Sequence, residues 1–267
     1  SRGLGDVYKR QAYELPLSSF QVIQSCNTSI STAGAALASS PISEVAFQAA
    51  GGGAALPSVG GKTTGANFTV AANGVYPTTL ALTGSVVFGV SASPTPAAVD
   101  FSTGFASATR TIEGGAVYSY SGSNQDGYNC TGGPGWCGSG AGGSGATSYY
   151  YAYYQTPTPA TALYNGISIL APGVPSVSAT TDTAGVKING QSTIKFTFNN
   201  NPEWQSSGTN NFGVLLTLGK FYNIGSANSP TPCNIKLLSV VTPLNNGGAT
   251  AYELPLSSFQ VIQSCNT

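Results

Sequence analysis

The same seventeen residues occur near both ends of this 267-residue chain. The segment that begins at Ala12 and ends at Thr28 recurs without a change from Ala251 to Thr267, an offset of 239 residues. Three causes fit such identity: near-identical tandem units, an overlap made in sequence assembly, or an N-terminal strand that copies the C-terminal one. Part of the C-terminal copy, from Ser258 to Gln263, predicts a strand.

The rest of the chain also predicts short strands and turns. The clearest pattern is Val186 to Ile188, the turn pair Asn189-Gly190, and then a run to Phe198 in which Ile194, Phe196 and Phe198 share one face. Asn-Gly favours a tight hairpin turn. A second hairpin is predicted from Arg110 to Tyr120 around Gly114-Gly115. Helical periodicity is limited to a weak candidate at 33–50. We therefore predict an all-β fold, a β-sandwich or jelly roll of immunoglobulin-like type, with an extended N-terminal arm.

Composition divides the chain into four parts. Residues 1–11 carry three of the nine basic residues and look like translated sequencing-adapter read-through, or else form a disordered arm. Residues 12–28 are the N-terminal copy of the repeat. Residues 29–65 are rich in small residues and predict a linker. Residues 66–267 predict the sandwich, with a Gly/Tyr-rich loop at 122–154.

Charge and residue usage limit the chemistry. The chain has nine basic and nine acidic residues and no histidine. So few basic residues argue against nucleic acid as a partner. The sequence contains no run of 18 apolar residues, the length that would predict a membrane span. Without histidine, the usual general base of hydrolases is absent. We found no pair of carboxylates or metal-ligand spacing, and we predict no enzyme activity, no cofactor and no metal site.

The five cysteines indicate an oxidising compartment. Four belong to one repeating unit, because Cys26 and Cys265 occupy the same repeat position. We predict a local disulfide between Cys130 and Cys137 and a second between Cys233 and Cys265, with Cys26 left over or used between units; free buried cysteines are the alternative. Glycosylation sequons begin at Asn27, Asn67 and Asn129. We accordingly expect an extracellular location, secreted or at the cell surface.

A run of aromatic residues predicts an interaction surface. Six consecutive positions from Tyr149 to Tyr154 hold five tyrosines, and strand side chains alternate, so they cannot all face one core. The candidates for an aromatic surface are Trp136, Tyr149, Tyr151 and Tyr153. Such rings suit a protein interface or stacking on sugars, and an ordinary sheet with one half-exposed tyrosine row is the simpler interpretation.

Together these features resemble the subunits of extracellular, pilus-like fibres that assemble by β-strand donation. The resemblance is architectural, and no family-specific motif carries it. It implies a homopolymer in which one subunit's terminal strand completes the sheet of the next. The candidate pocket-filling residues are Leu15, Leu17, Phe20, Val22 and Ile23 in the N-terminal copy and Leu254, Leu256, Phe259 and Val261 in the C-terminal copy. The alternative is a secreted adhesin repeat or a carbohydrate-binding module, with glycans, covalent or bound, as partners.

Overall fold

The computed structural model describes residues 30, 32–51, 59–62, 76–89, 98–122, 138–156, 163–176, 181–202, 211–226, 229–243 and 249–263. The described chain is mostly antiparallel strand with one short α-helix, which confirms the predicted all-β class. None of the helices in these ranges has the length and apolar character needed to cross a bilayer.

Two large sheets make up the fold. Sheet I has six strands in the order β14-β12-β11-β1-β9-β6. Their bounds are β1 (Ile42–Gly51), β6 (Val117–Gly122), β9 (Leu163–Leu170), β11 (Phe212–Ser226), β12 (Ser229–Val241) and β14 (Gln260–Gln263). Each pairing in the sheet is antiparallel, so the chain returns to the same layer repeatedly.

Sheet II also has six strands. The order is β13-β10-β2-β8-β7, and β3 pairs with the far end of β2. Their bounds are β2 (Tyr76–Gly89), β3 (Val99–Ser102), β7 (Gly138–Gly142), β8 (Tyr149–Thr156), β10 (Thr193–Pro202) and β13 (Thr250–Pro255). A small third sheet joins β4 (Phe105–Ser107) to β5 (Arg110–Thr111).

Aromatic residues join the two large sheets in one core. Phe47 on β1 lies 4.7 Å from Phe196 and 5.0 Å from Phe198, both on β10, between ring centroids. Phe212 on β11 contacts Phe198 at 4.7 Å. The three β10 residues predicted to share a face, Ile194 included, are 0–3% exposed, so their common inward face is confirmed.

The predicted linker at 29–65 is wrong for its central part. Helix α1 (Ala33–Ser39) is capped at its N-terminus by Thr32, whose hydroxyl accepts a hydrogen bond from the Ala35 amide at 3.2 Å. Pro41 disfavours helical geometry at Ser40, which is extended, and β1 follows in the middle of sheet I. The small side chains around Val45 and Phe47 concealed a strand that is buried on the core side.

The hairpin predicted from Val186 to Phe198 is wrong in its pairing. Val186 forms a bridge with Ile42, and β10 pairs with β13 and β2. The hairpin predicted around Gly114-Gly115 is confirmed at its turn, where Arg110 bridges Ala116 and the Thr111 amide donates to the Gly115 carbonyl at 2.8 Å. Beyond the turn, β6 continues alongside β9. The predicted loop at 122–154 likewise contains β7 and the first part of β8, which pair with each other. For β10 and β6 a distant strand offers longer pairing than the neighbouring segment does, whereas β7 and β8 are consecutive strands.

Candidate functional site at the terminal repeat

The C-terminal copy of the repeat closes one side of both sheets. Its first half lies in β13, an edge of sheet II, and its second half contains β14, an edge of sheet I. A short 3₁₀ turn, Leu256–Ser258, connects the two strands. One short segment therefore completes two sheets, and each of its strands has a neighbour on one side only among the described strands.

The β13 half alternates between core and surface. Tyr252 is 6% exposed and stacks on Phe196 with the ring centroids 5.3 Å apart. Leu254 stands opposite Ile194 in the register and packs against the core while partly exposed. Glu253 points outward and forms an ion pair of 3.2 Å with Lys195. The strand thus contributes an aromatic and an aliphatic side chain to the core.

The corner between the strands is fixed by hydrogen bonds. Pro255 ends the β13 ladder because it has no N–H to donate. The Leu256 amide donates to the Ser192 carbonyl at 2.7 Å, and the Ser258 hydroxyl donates to the Pro255 carbonyl at 2.8 Å. Leu256 itself is 5% exposed. These contacts direct the chain from one sheet to the other.

The β14 half buries the strongest apolar residues. Phe259 is fully buried and Val261 is 1% exposed, both in the main core. Ile262 packs on the other face of sheet I, against a second cluster that includes Leu238. β14 pairs with β12 at three positions only, with a register shift, whereas β13 pairs with β10 at six. Side-chain burial therefore contributes more than the ladder to holding β14.

Helix α1 brings the start of the fold to the same place. It packs against the 256–258 turn and against β14. α1 begins at Ala33, five positions after Thr28, the last residue of the N-terminal copy. An extended chain spans about 3.3–3.6 Å per residue. The N-terminal copy is thus joined to the described fold within a short distance of the segment that it duplicates.

The structure places the predicted pocket-filling residues as follows. Leu256, Phe259 and Val261 are buried together and Leu254 is partly buried. Leu15, Leu17, Phe20, Val22 and Ile23 lie outside the described residues. Sequence reasoning missed Tyr252, whose position in the period-2 pattern, two before Leu254, could have revealed it.

The predicted aromatic surface lies on the outer face of sheet II. Tyr150 and Ala152 face the core, while Tyr149 is 41% exposed and Tyr151 is partly exposed. The ring centroids of Tyr149 and Tyr151 are 6.2 Å apart. Tyr153 continues the register opposite Gly138. Trp136 lies outside the described residues.

Cys233 is the one cysteine within the described residues. It is 4% exposed and is disulfide-bonded. The other four cysteines, Cys26, Cys130, Cys137 and Cys265, lie outside the described residues. The predicted disulfide pairings therefore stay predictions. The sequons at Asn27, Asn67 and Asn129 also fall outside.

A cluster of polar side chains surrounds Glu44 on the outer face of sheet I. The Tyr118 hydroxyl donates to Glu44 Oε1 at 2.6 Å, and the Thr217 hydroxyl donates to Oε2 at 2.7 Å. The Ser168 hydroxyl also donates to Oε1. Three strands are cross-linked through one carboxylate. Within the described ranges no group of three acidic or cysteine side chains is placed to hold a metal ion.

The comparisons with known proteins yield no relative. No protein-family model matches the chain, and neither the curated proteins nor the solved structures contain a match.

Proposed function

We propose that this protein is a structural subunit of an extracellular filament that polymerises head to tail by donation of a terminal strand. The single observation that supports this most is that one copy of the repeat closes the edges of both sheets, while a second, identical copy is attached next to that position through α1. A groove that accepts residues 251–263 of its own chain has the shape and chemistry to accept residues 12–24 of another.

The finer fold class belongs to the same proposal. The chain crosses repeatedly between the sheets, as it does in jelly rolls and immunoglobulin-like sandwiches, and a first strand that lies inside sheet I leaves the repeat at the edge. Edge strands are the elements that exchange between molecules, because their removal breaks the fewest ladders. An N-terminal arm formed by residues 12–28 would be the donor.

Exchange conserves the contacts in the groove. In the closed monomer and in the polymer, every groove holds one copy of the same seventeen residues. The equilibrium is therefore set by chain concentration and by any contacts between neighbours, which compete with the high effective concentration of a chain's own copy. Such a head-to-tail contact does not close on itself, so it extends into a fibre.

The rate of exchange is limited by leaving the groove. Tyr252, Leu256, Phe259 and Val261 must lose their burial before another copy can insert. Full burial of such a side chain is worth about 1.5–3 kcal/mol. The monomer should persist for long times at low temperature and convert faster on warming.

The test uses the same substitution in each copy of the full chain. Phe20→Asp places a charge in the N-terminal copy and leaves the described fold unchanged, so we expect monomers of unaltered stability that form no filaments. Phe259→Asp puts an unpaired carboxylate into the core, which is strongly unfavourable. That chain should stay folded only by closing its groove with the N-terminal copy.

The readout is electron microscopy together with denaturing gel electrophoresis of heated and unheated samples, with and without reductant. Noncovalent donation predicts a ladder that collapses to a single band near 26.9 kDa on heating. Normal filaments from Phe20→Asp would refute the donor role of the N-terminal copy. A heat-resistant and reductant-resistant species several times larger would indicate a covalent tandem array, the adhesin-like alternative.

A further inference from the structure

The outer face of sheet II presents tyrosine rings that lie across a glycine strand. In the β7–β8 register Gly142 is opposite Tyr149 and Gly140 is opposite Tyr151. A Cβ atom added to Gly142 would come within 2.5 Å of Tyr149 Oη, and one added to Gly140 within 2.9 Å of Tyr151 Oη. The phenol ends therefore occupy the space that side chains on β7 would take.

The rings of Tyr149 and Tyr151 therefore pack against the backbone of β7. β7 alternates Gly138, Gly140 and Gly142 with Ser139 and Ala141, and Ala141 faces the core. The glycines are thus on the tyrosine side of the strand at each alternate position. An aromatic ring that covers a glycine on the neighbouring strand protects its backbone and is held in place by it. Tyr149 still keeps 41% of its surface exposed.

The surroundings of these rings are neutral and polar. β7, β8 and β2 contain no Asp, Glu, Lys or Arg. On the next strand, β10, Thr197 and Asn199 lie in the same cross-strand rows as Tyr149 and Tyr151, two strands away. The nearest charges along β10 and β13, Lys195 and Glu253, pair with each other. Asp100 on β3, exposed and opposite Val87 of β2, adds a negative charge to sheet II. The sheet therefore offers no excess of positive charge to attract phosphates or acidic peptides.

We infer that this face is a binding surface for an uncharged glycan. A sugar ring has one face of C–H groups, which stack on an aromatic ring, and an equatorial belt of hydroxyls, which exchange hydrogen bonds with phenol, hydroxyl and amide groups. Tyr149 and Tyr151 supply the stacking surface, with ring centroids 6.2 Å apart. Their hydroxyls and Thr197, in the Tyr149 row, supply polar groups. A neutral ligand also matches the strands next to the rings, since β2, β7 and β8 contain no charged residue.

The inference is independent of filament assembly, because the tyrosines lie near the opposite edge of sheet II from β13. Strands β10, β2 and β8 lie between β13 and β7. The test is affinity electrophoresis of the full chain in gels that contain a soluble β-glucan, a mannan or a galactan, with dextran sulfate as the anionic comparison. We expect retardation by at least one neutral polysaccharide and none by dextran sulfate. The measurement is repeated in the Phe20→Asp background to remove any contribution from polymers.

Tyr149→Ala and Tyr151→Ala should each weaken the apparent affinity by about tenfold or more, which corresponds to about 1.4 kcal/mol or more. The matched control is Tyr118→Ala, because Tyr118 is 38% exposed but lies on sheet I, and its affinity should equal that of the wild type. Gly142→Val tests the geometry without removing a ring, since it displaces Tyr149, and should also weaken binding. Urea denaturation checks that each variant is folded.

Absence of retardation by all three neutral polysaccharides would overturn the inference. So would an equal loss of affinity in Tyr118→Ala. If the Tyr149→Ala chain kept its glycan retardation but failed to associate with other chains, the face would be a protein interface and the inference would be wrong.

Discussion

At the scale of single residues, Glu44 joins three strands to β1 through its carboxylate. Its two oxygens accept hydrogen bonds from hydroxyls on β6, β9 and β11. Hydrogen bonds to a charged group are stronger than neutral ones, and a partner left unsatisfied adds a desolvation cost. The cluster therefore fixes the register of three strand pairs: β1 with β11, β1 with β9, and β9 with β6.

Glu44→Gln should lower the free energy of unfolding by about 1–3 kcal/mol, because an amide offers one acceptor oxygen and turns a donor toward another donor. Urea denaturation monitored by tryptophan or tyrosine fluorescence measures the change. The control is Glu253→Gln, which breaks an ion pair that is 45% exposed on each side and should cost less than about 1 kcal/mol. Equal effects would contradict the assigned role of Glu44.

Tyr118 should make stability depend on alkaline pH. Burial of its hydroxyl and the neighbouring negative charge of Glu44 raise the pKa of Tyr118 above its ordinary value near 10. The folded state thus favours the neutral phenol, so this contribution is complete below pH 10 and is lost as the pH rises beyond it. In urea titrations between pH 8 and 11, Tyr118→Phe should lose less stability than the wild type above pH 10. Identical pH curves for Tyr118→Phe and the wild type would contradict this assignment.

At the scale of elements, two glycines should respond to alanine in opposite ways. Gly34 lies in α1 with nothing within 4 Å of an added Cβ. Gly34→Ala should stabilise the protein by about 0.4–1 kcal/mol, because it reduces the freedom of the unfolded chain and favours the helix. Thermal and urea denaturation measure the effect.

Gly219→Ala is the opposing case. The new Cβ would lie 2.2 Å from the Thr183 carbonyl oxygen, which belongs to backbone and cannot rotate away. The Gly219 amide and carbonyl also bond to Pro41 and Thr183 at 2.7 Å. We expect the free energy of unfolding to fall by about 1–3 kcal/mol. A neutral result would mean that the segment at 181–183 moves away from β11 at little cost.

At the scale of the whole molecule, many paired strands are far apart in the sequence. Glu44 and Thr217, which bond to each other, are 173 residues apart, and β1 lies between β9 and β11. Chains dominated by distant strand pairs fold in milliseconds to seconds or more slowly, because loop closure precedes the contacts that compensate for it. Stopped-flow refolding should show such rates. Refolding in microseconds would imply that local segments, against this topology, carry the folding nucleus.

Slow closure also affects assembly. Under the proposed exchange, the groove is open to either copy of the repeat, from any chain, until β13 and β14 are in place. Refolding at high concentration should therefore yield more exchanged species than refolding at low concentration followed by concentration. Native gels of the two preparations compare them. Identical distributions would indicate that the chain's own C-terminal copy always closes the groove first.

The amino-acid sequence by itself determined the all-β class and the inward face of β10, because alternation of apolar and polar residues is a local property of a strand. It also marked the C-terminal copy's Leu256, Phe259 and Val261 as a set. Only the tertiary structure decided which strands pair. Central β1, the partners of β10, the crossing of one repeat between two sheets and the cluster at Glu44 all depend on contacts between distant segments. Their energies are compared only when the whole chain is folded, so no local pattern contains them.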